Sequence, residues 1–206
     1  MALREKAWFP IFFMFVITLC LSAVIILFGS ITRQRVKDNE RIAYERAVLQ
    51  ALPIELPPRA TPSQIHNVYI TNIQEADASS AGALKYIKDD SLVAYALPLA
   101  GPGFWASIKG LIGIAADLRT VTGIAFYEQN ETPGLGGEIV KTEFRTQFRG
   151  KKVAVKGVPL EILPATAELD ENSVHAITGA TQTSNRLGSF MNEQLAAWRK
   201  GMNNQP

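Results

Sequence analysis

The stretch that decides how this chain is read runs from His175 to Phe190, "HAITGATQTSNRLGSF". Hydroxyl side chains at Thr178, Thr181, Thr183 and Ser184 crowd around a Gly-Ala pair at the point where a helical pattern begins. Downstream, Leu187, Phe190, Leu195 and Trp198 recur at helical spacing, which predicts a helix over 183–200 with that face packed inward and Gly201 closing it. A helix starting near Thr181–Thr183 exposes backbone N–H groups and the positive end of its dipole beside those hydroxyls. That is a site for an anion, and Gly179 lets the backbone approach it closely. The plainer alternative is an ordinary Ser/Thr helix cap. The stretch is not a Walker loop, because the spacing is wrong and no lysine follows the glycine.

Upstream, two more segments carry unusual backbone chemistry. "GIAFYEQNETPGLGGEI" (123–139) leaves a strand for a loop rich in glycine, Gly134, Gly136 and Gly137, stiffened by Pro133. Such a loop offers backbone N–H groups and little side-chain bulk, as a flat ligand requires. "GPGFWASIKGLIGI" (101–114) sets Phe104 and Trp105 between glycines, where burial in a core is the alternative role.

Between these segments the pattern is largely strand-like. Alternation predicts strands in "NVYITNI" (67–73), "ALKYIK" (83–88) and "SLVAYALPL" (91–99), and a pair over 111–129 joined by a turn at Ala116–Arg119. "TEFRTQFRG" (142–150) reads as a short amphipathic helix closed by Gly150, and "KKVAVKGV" (151–158) as a further strand. The expected fold is α+β, an antiparallel sheet with flanking helices.

Ahead of this lies Ala7–Thr32, 26 residues without a charge. About 20 apolar residues suffice to span a bilayer as a helix. The run is too long for the core of a signal peptide, and Leu19 is too large for the position before a lipobox cysteine at Cys20. The expected organisation is a cytoplasmic tail over 1–6, a transmembrane helix over 7–32, a stalk helix and Pro-rich linker over 33–62, and a domain over 63–206. Asp38–Leu52 supplies the stalk as a continuation of the membrane helix, and Pro53, Pro57, Pro58 and Pro62 supply the linker.

Composition narrows the function classes. Five of the 21 Lys+Arg flank the apolar run, leaving 16 against 18 Asp+Glu from Asp38 onward, so the domain itself carries no basic excess that suggests nucleic acid. The single cysteine lies in the apolar run, and only two histidines are present, which excludes a disulfide framework and disfavours a metal site. Redox chemistry, if present, would need an organic cofactor. No pair of side chains stands out for acid–base work on a substrate. Glu128, Glu131 and His175 are the nearby titratable groups, and solvated surface roles suit them better.

In order along the chain, "GPGFW", "YEQNETPGLGGE" and "TGATQTS" behind one membrane helix resemble the FMN-binding subunits of ion-translocating redox complexes. These are NqrC of the Na+-translocating NADH:quinone reductase and RnfG of the related Rnf complex. "YEQNETPGLGGE" and the tryptophan of "GFW" resemble NqrC, and the compact length resembles RnfG. The resemblance implies an FMN joined by its phosphate to Thr181, the last residue of the motif Thr178-Gly179-Ala180-Thr181. A separate flavin transferase would install it. Thr178 and Thr183 would stabilise the phosphate, with Thr132, Leu135, Gly136 and Glu131 along one side of the flavin, Phe104 and Trp105 on another, and Lys156 as a further contact. The family usually carries aspartate three residues before the motif, where this chain has His175.

The implied role is an electron relay inside a membrane translocase, alongside other integral membrane subunits. It has no catalytic residues of its own, and its flavin domain lies on the periplasmic side of the inner membrane. Two alternatives stand beside it: a membrane-anchored flavin reductase acting on a soluble acceptor, and a non-redox adaptor with a decayed flavin site.

Overall fold

A computed structural model describes residues 8–203, and the expected tail over 1–6 lies outside them. The first element is one helix, α1 (Phe9–Ala51), whose apolar N-terminal part is exposed and long enough to cross a membrane. The chain divides into two compact units at Arg41/Ile42. The second contains the last turns of α1, which are buried at Ala47, Val48, Leu49 and Ala51.

The core of the second unit is a five-stranded sheet in the order β1-β2-β3-β4-β5, antiparallel throughout. Its strands are β1 (Ile73–Gln74), β2 (Leu84–Lys88), β3 (Ser91–Pro102), β4 (Ser107–Ala115) and β5 (Val121–Glu128). The 116–119 turn falls where the sequence places it, with Asp117 accepting from the N–H groups of Arg119 and Thr120. Both faces of the sheet are covered, so β4 reads as an apolar run rather than an alternation. On one face Leu97, Leu99, Ile112, Ile114 and Ile124 pack with Leu187, Met191, Leu195 and Trp198 of α4 (Thr181–Asn203). On the other, the floor is built of small residues, Ala94, Ala96 and Ala125, against Ala47, Val48 and Ala51 of α1. A side chain at Gly113 would collide with the Ala51 carbonyl, and Thr122 Oγ1 donates to that same carbonyl at 2.7 Å. The sheet thus accepts a helix C-terminus at backbone range and satisfies one of its orphan carbonyls.

Three local expectations are corrected. "NVYITN" is helical, within α2 (Pro62–Asn72), and only Ile73–Gln74 is strand. Thr61 and Gln64 form a reciprocal capping box and Pro62 sits at the first turn, so a strong helix start overrides the β-branched alternation that follows. "KKVAVKGV" makes a single bridge, Lys152 to Thr120, and then turns back through the hydrogen bond from Ala154 N–H to the Pro159 carbonyl. Gly201 does not end the last helix, which continues to Asn203. A Cβ there would sit 2.8 Å from that of Ala81, so this glycine serves close packing.

Beyond β5, a 3-10 turn (Gly136–Val140) and the short α3 (Thr142–Thr146) bring Phe144 and Phe148 into the core. Gly150 follows with φ of 80°. Short parallel strands β6 (Glu161–Leu163) and β7 (Ser173–His175), which alternation in the sequence does not mark, lead directly into the Thr178 motif.

Candidate functional site

Thr178 and Gly179 form a tight turn between β7 and α4, with Gly179 at φ of 78°. Only glycine holds that angle without strain, and a side chain there would also press on Leu135 Cδ2 at 3.1 Å. Ala180 N–H donates to the Ile177 carbonyl, and Ser184 N–H opens the helical ladder by donating to Ala180 O at 3.0 Å. The N–H groups of Thr181, Gln182 and Thr183 therefore precede the ladder. Thr181, the first residue of α4, is exposed, and among the described residues no side chain hydrogen-bonds its hydroxyl.

Glu131 fixes the walls around it. The residue is only 5% exposed, which overturns the expectation of a solvated surface role. Oε2 accepts from the buried Thr183 hydroxyl at 2.6 Å, and Oε1 accepts from Trp105 N–H at 2.9 Å. One carboxylate thus ties the first turn of α4 to the β3–β4 turn. Burial opposes its ionisation, but the bond from Thr183 and those from the backbone of Trp105, Ala106 and Phe104 outweigh burial. The carboxyl is held below its usual range. Gly103 and Gly136 are the clearances this contact needs: a Cβ on Gly103 would lie 2.5 Å from Glu131 Oε1, and one on Gly136 would strike Thr183 Oγ1. The Thr183 hydroxyl hydrogen is consequently given to Glu131.

The glycine loop also differs from expectation. The N–H groups of Leu135 and Gly137 donate to the Thr132 carbonyl, and that of Gly134 donates to Glu138 Oε1. The loop offers the cleft a surface free of bulk rather than a row of open donors. Phe104 and Trp105, 46% and 69% exposed, do not belong to the core. They stand edge to face at 5.1 Å on the outer rim.

These pieces enclose an open cleft of about 340 Å³. The structure brings Thr181, Gly179, Ala180, Thr183, Glu131, Thr132, Leu135, Gly136, Phe104 and Trp105 together around it. Thr178 turns toward a neighbouring hollow beside Gly134 and Lys141, and Lys156 lies exposed before Gly157 without lining the cleft. His175 points elsewhere: its Nε2 bonds the Ala167 carbonyl at 3.0 Å, and its backbone N–H donates to Gln147. Two contributors escape the sequence reading. Gln182 lines the cleft, and Arg186, one turn further along α4, donates to the Gly103 carbonyl and lies 6.0 Å from the Phe104 ring centroid. Their i, i+4 spacing was the available signal.

Residues 103–196 match the family model of the FMN-binding domain, a span that contains all of the cleft. The chain is 36% identical over 111 residues to NqrC of the Na(+)-translocating NADH-quinone reductase of Vibrio vulnificus, covering 52% of this chain and 44% of that one. Against the Chlamydia caviae NqrC it is 32% identical over 157 residues, covering 67% and 49%. Over residues 103–196 the chain carries an FMN-binding domain, and there it is similar to the NqrC subunits. It spans about half the length of these relatives. The fold agrees with the crystal structure of the Parabacteroides distasonis NqrC at a TM-score of 0.72 and 22% identity, covering 84% of this chain and 98% of that one. Of the two families that the motifs resemble, these relatives support NqrC.

Proposed function

We propose that the cleft holds FMN joined by a phosphoester to Thr181 Oγ1, and that the chain is an electron-relay subunit of a Na+-translocating NADH:quinone reductase complex. The observation that carries this reading is the exposed, unpartnered Thr181 hydroxyl at a helix entrance, beside a cleft walled by glycines that leave no room for side chains. The residues fit such a group. Gly136 and Gly179 clear a surface for a flat ring, while Phe104 and Trp105 present aromatic faces that are otherwise costly to expose. Bound there, a flavin would supply one- and two-electron transfer.

The chain's own residues hold and orient. The pre-ladder N–H groups and dipole of α4 would stabilise the single negative charge of the phosphodiester. Arg186 adds a fixed positive charge beside Phe104. Nothing among the described residues abstracts the Thr181 proton, and a threonine hydroxyl at neutral pH is a poor nucleophile without a base. Attachment therefore calls for a separate flavin transferase. That enzyme would meet the His175 backbone in a parallel strand, with the imidazole engaged by Ala167. We place the domain on the periplasmic side, with α1 as a single membrane span and the other subunits of the complex as its partners.

The test is the intact mass of the denatured chain co-expressed with a flavin transferase. The expected result is one FMN added to the wild type and none to Thr181→Val. A flavin mass on the variant overturns the attachment site. Protease added to spheroplasts should digest the domain, and full protection would place it on the other side of the membrane.

A further inference from the structure

A second cleft, of about 240 Å³, opens on the α1 side of the sheet and has no part in the flavin reading. Arg46 and Gln50, one turn apart near the end of α1, form one wall. Arg145 and Arg149, also one turn apart, form the other, with the hydroxyl residues Thr142 and Thr146 beside them. Among the described residues, no carboxylate lines it. Glu143, the acid of α3, faces the separate hollow shared by Lys141 and Phe144. Among the described residues, none of the three arginines is ion-paired. Arg46 makes only a long contact, from Nη2 to the Ala60 carbonyl at 3.4 Å.

Arg145 is the telling member. Its Nη1 donates to Gln50 Oε1 at 2.6 Å, which fixes the guanidinium plane. Its Nε is closed to solvent and has no hydrogen-bond partner. A buried donor left unmade is costly, and the cost falls on a cation already destabilised by burial and by the neighbouring Arg149. Gln50 thus fixes the guanidinium in the cleft wall, where Arg145 with Arg46 and Arg149 gives a set of planar donors of the kind that receives an oxyanion. Three positive charges exceed what a monoanionic carboxylate offsets, so the charge count favours phosphate.

We propose that this cleft is a phosphate-binding site, in which the guanidiniums of Arg145 and Arg149 receive the oxyanion and Arg46 closes it from the α1 wall. The phosphate can come from a lipid headgroup or from a soluble phosphate ester, and the chemistry that recognises it is the same.

The test uses the full chain, 15N-labelled on arginine, in neutral maltoside micelles, with the Nε–H resonances followed by NMR. Inorganic phosphate should shift the Arg145 and Arg149 signals saturably, beyond the effect of chloride at equal ionic strength. Arg149→Gln, at an exposed position, should keep the fold and weaken phosphate binding roughly tenfold or more. A second arm places the chain in phosphatidylglycerol nanodiscs without added phosphate. Shifted signals there assign the lipid headgroup as the source, and a response to free phosphate alone assigns a soluble ester. Either result supports the site. No response above chloride in both arms overturns it, as does a phosphate response that Arg149→Gln and Arg46→Gln both leave unchanged.

Discussion

At the entrance of α4, the Glu131 carboxylate consumes the Thr183 hydroxyl hydrogen and the Trp105 N–H, leaving Thr181 as the exposed hydroxyl. At the arginine cleft on the opposite face of the sheet, three guanidiniums share one lined hollow, and one of them keeps a buried donor open. The walls of the first site satisfy their side-chain polar groups internally and so have a fixed shape before any ligand arrives. The second holds unspent hydrogen-bonding capacity and so depends on what fills it. Internal satisfaction suits a cofactor attached once and kept, whereas open capacity suits a ligand that exchanges.

Substitutions can break this contrast, beginning with the largest effect. Thr181→Val should abolish covalent flavin in the mass spectrum while moving stability by no more than about 0.5 kcal/mol, because the side chain is exposed and supports nothing else. Glu131→Ala should cost about 3 kcal/mol in urea unfolding, since it strands a buried hydroxyl and backbone donors together. Glu131→Gln, which keeps an acceptor, should cost less.

Acid should imitate that loss. The folded carboxyl lies below its ordinary value of 4.5, so its contribution is present above that pH and disappears as pH falls through the folded value. Wild type should therefore lose stability relative to Glu131→Gln below about pH 4.5, and parallel acid curves would show that the contact is absent.

Gly136→Ala should cost about 2 kcal/mol and reduce flavin loading, because the added methyl meets Thr183 and Glu131 and cannot be relieved by one flexible side chain. The smallest effect sharpens the contrast from the other side. Arg149→Gln should change the unfolding free energy by about 0.5 kcal/mol or less, because it removes a like-charge neighbour of Arg145 and no ion pair.

Much of this site was legible in the sequence because its parts are local. Thr178–Thr181 declares a turn and a helix start within a few residues, and "ETPGLGG" declares a loop without bulk. The strands of the main sheet were legible where an apolar run ended in a clear turn, as at Asp117. What escaped reading depended on distant partners. Glu131 looks like any loop acid until Thr183 and Trp105 close over it. "NVYITN" alternates like a strand, but the Thr61–Gln64 capping box ahead of it decides otherwise. The arginine cleft joins residues near 46, 123 and 145, and no window of sequence contains them together.

The Glu131–Thr183 hydrogen bond spans 52 positions of chain. Its formation waits on the sheet, the glycine loop and the last helix all being docked, since long-range contacts close only after the intervening chain is ordered. A maturation enzyme that requires the finished rim would therefore modify folded copies and pass over nascent or damaged ones. Yellow colour on this chain would then certify that its architecture had once been completed, even in a sample that has since unravelled.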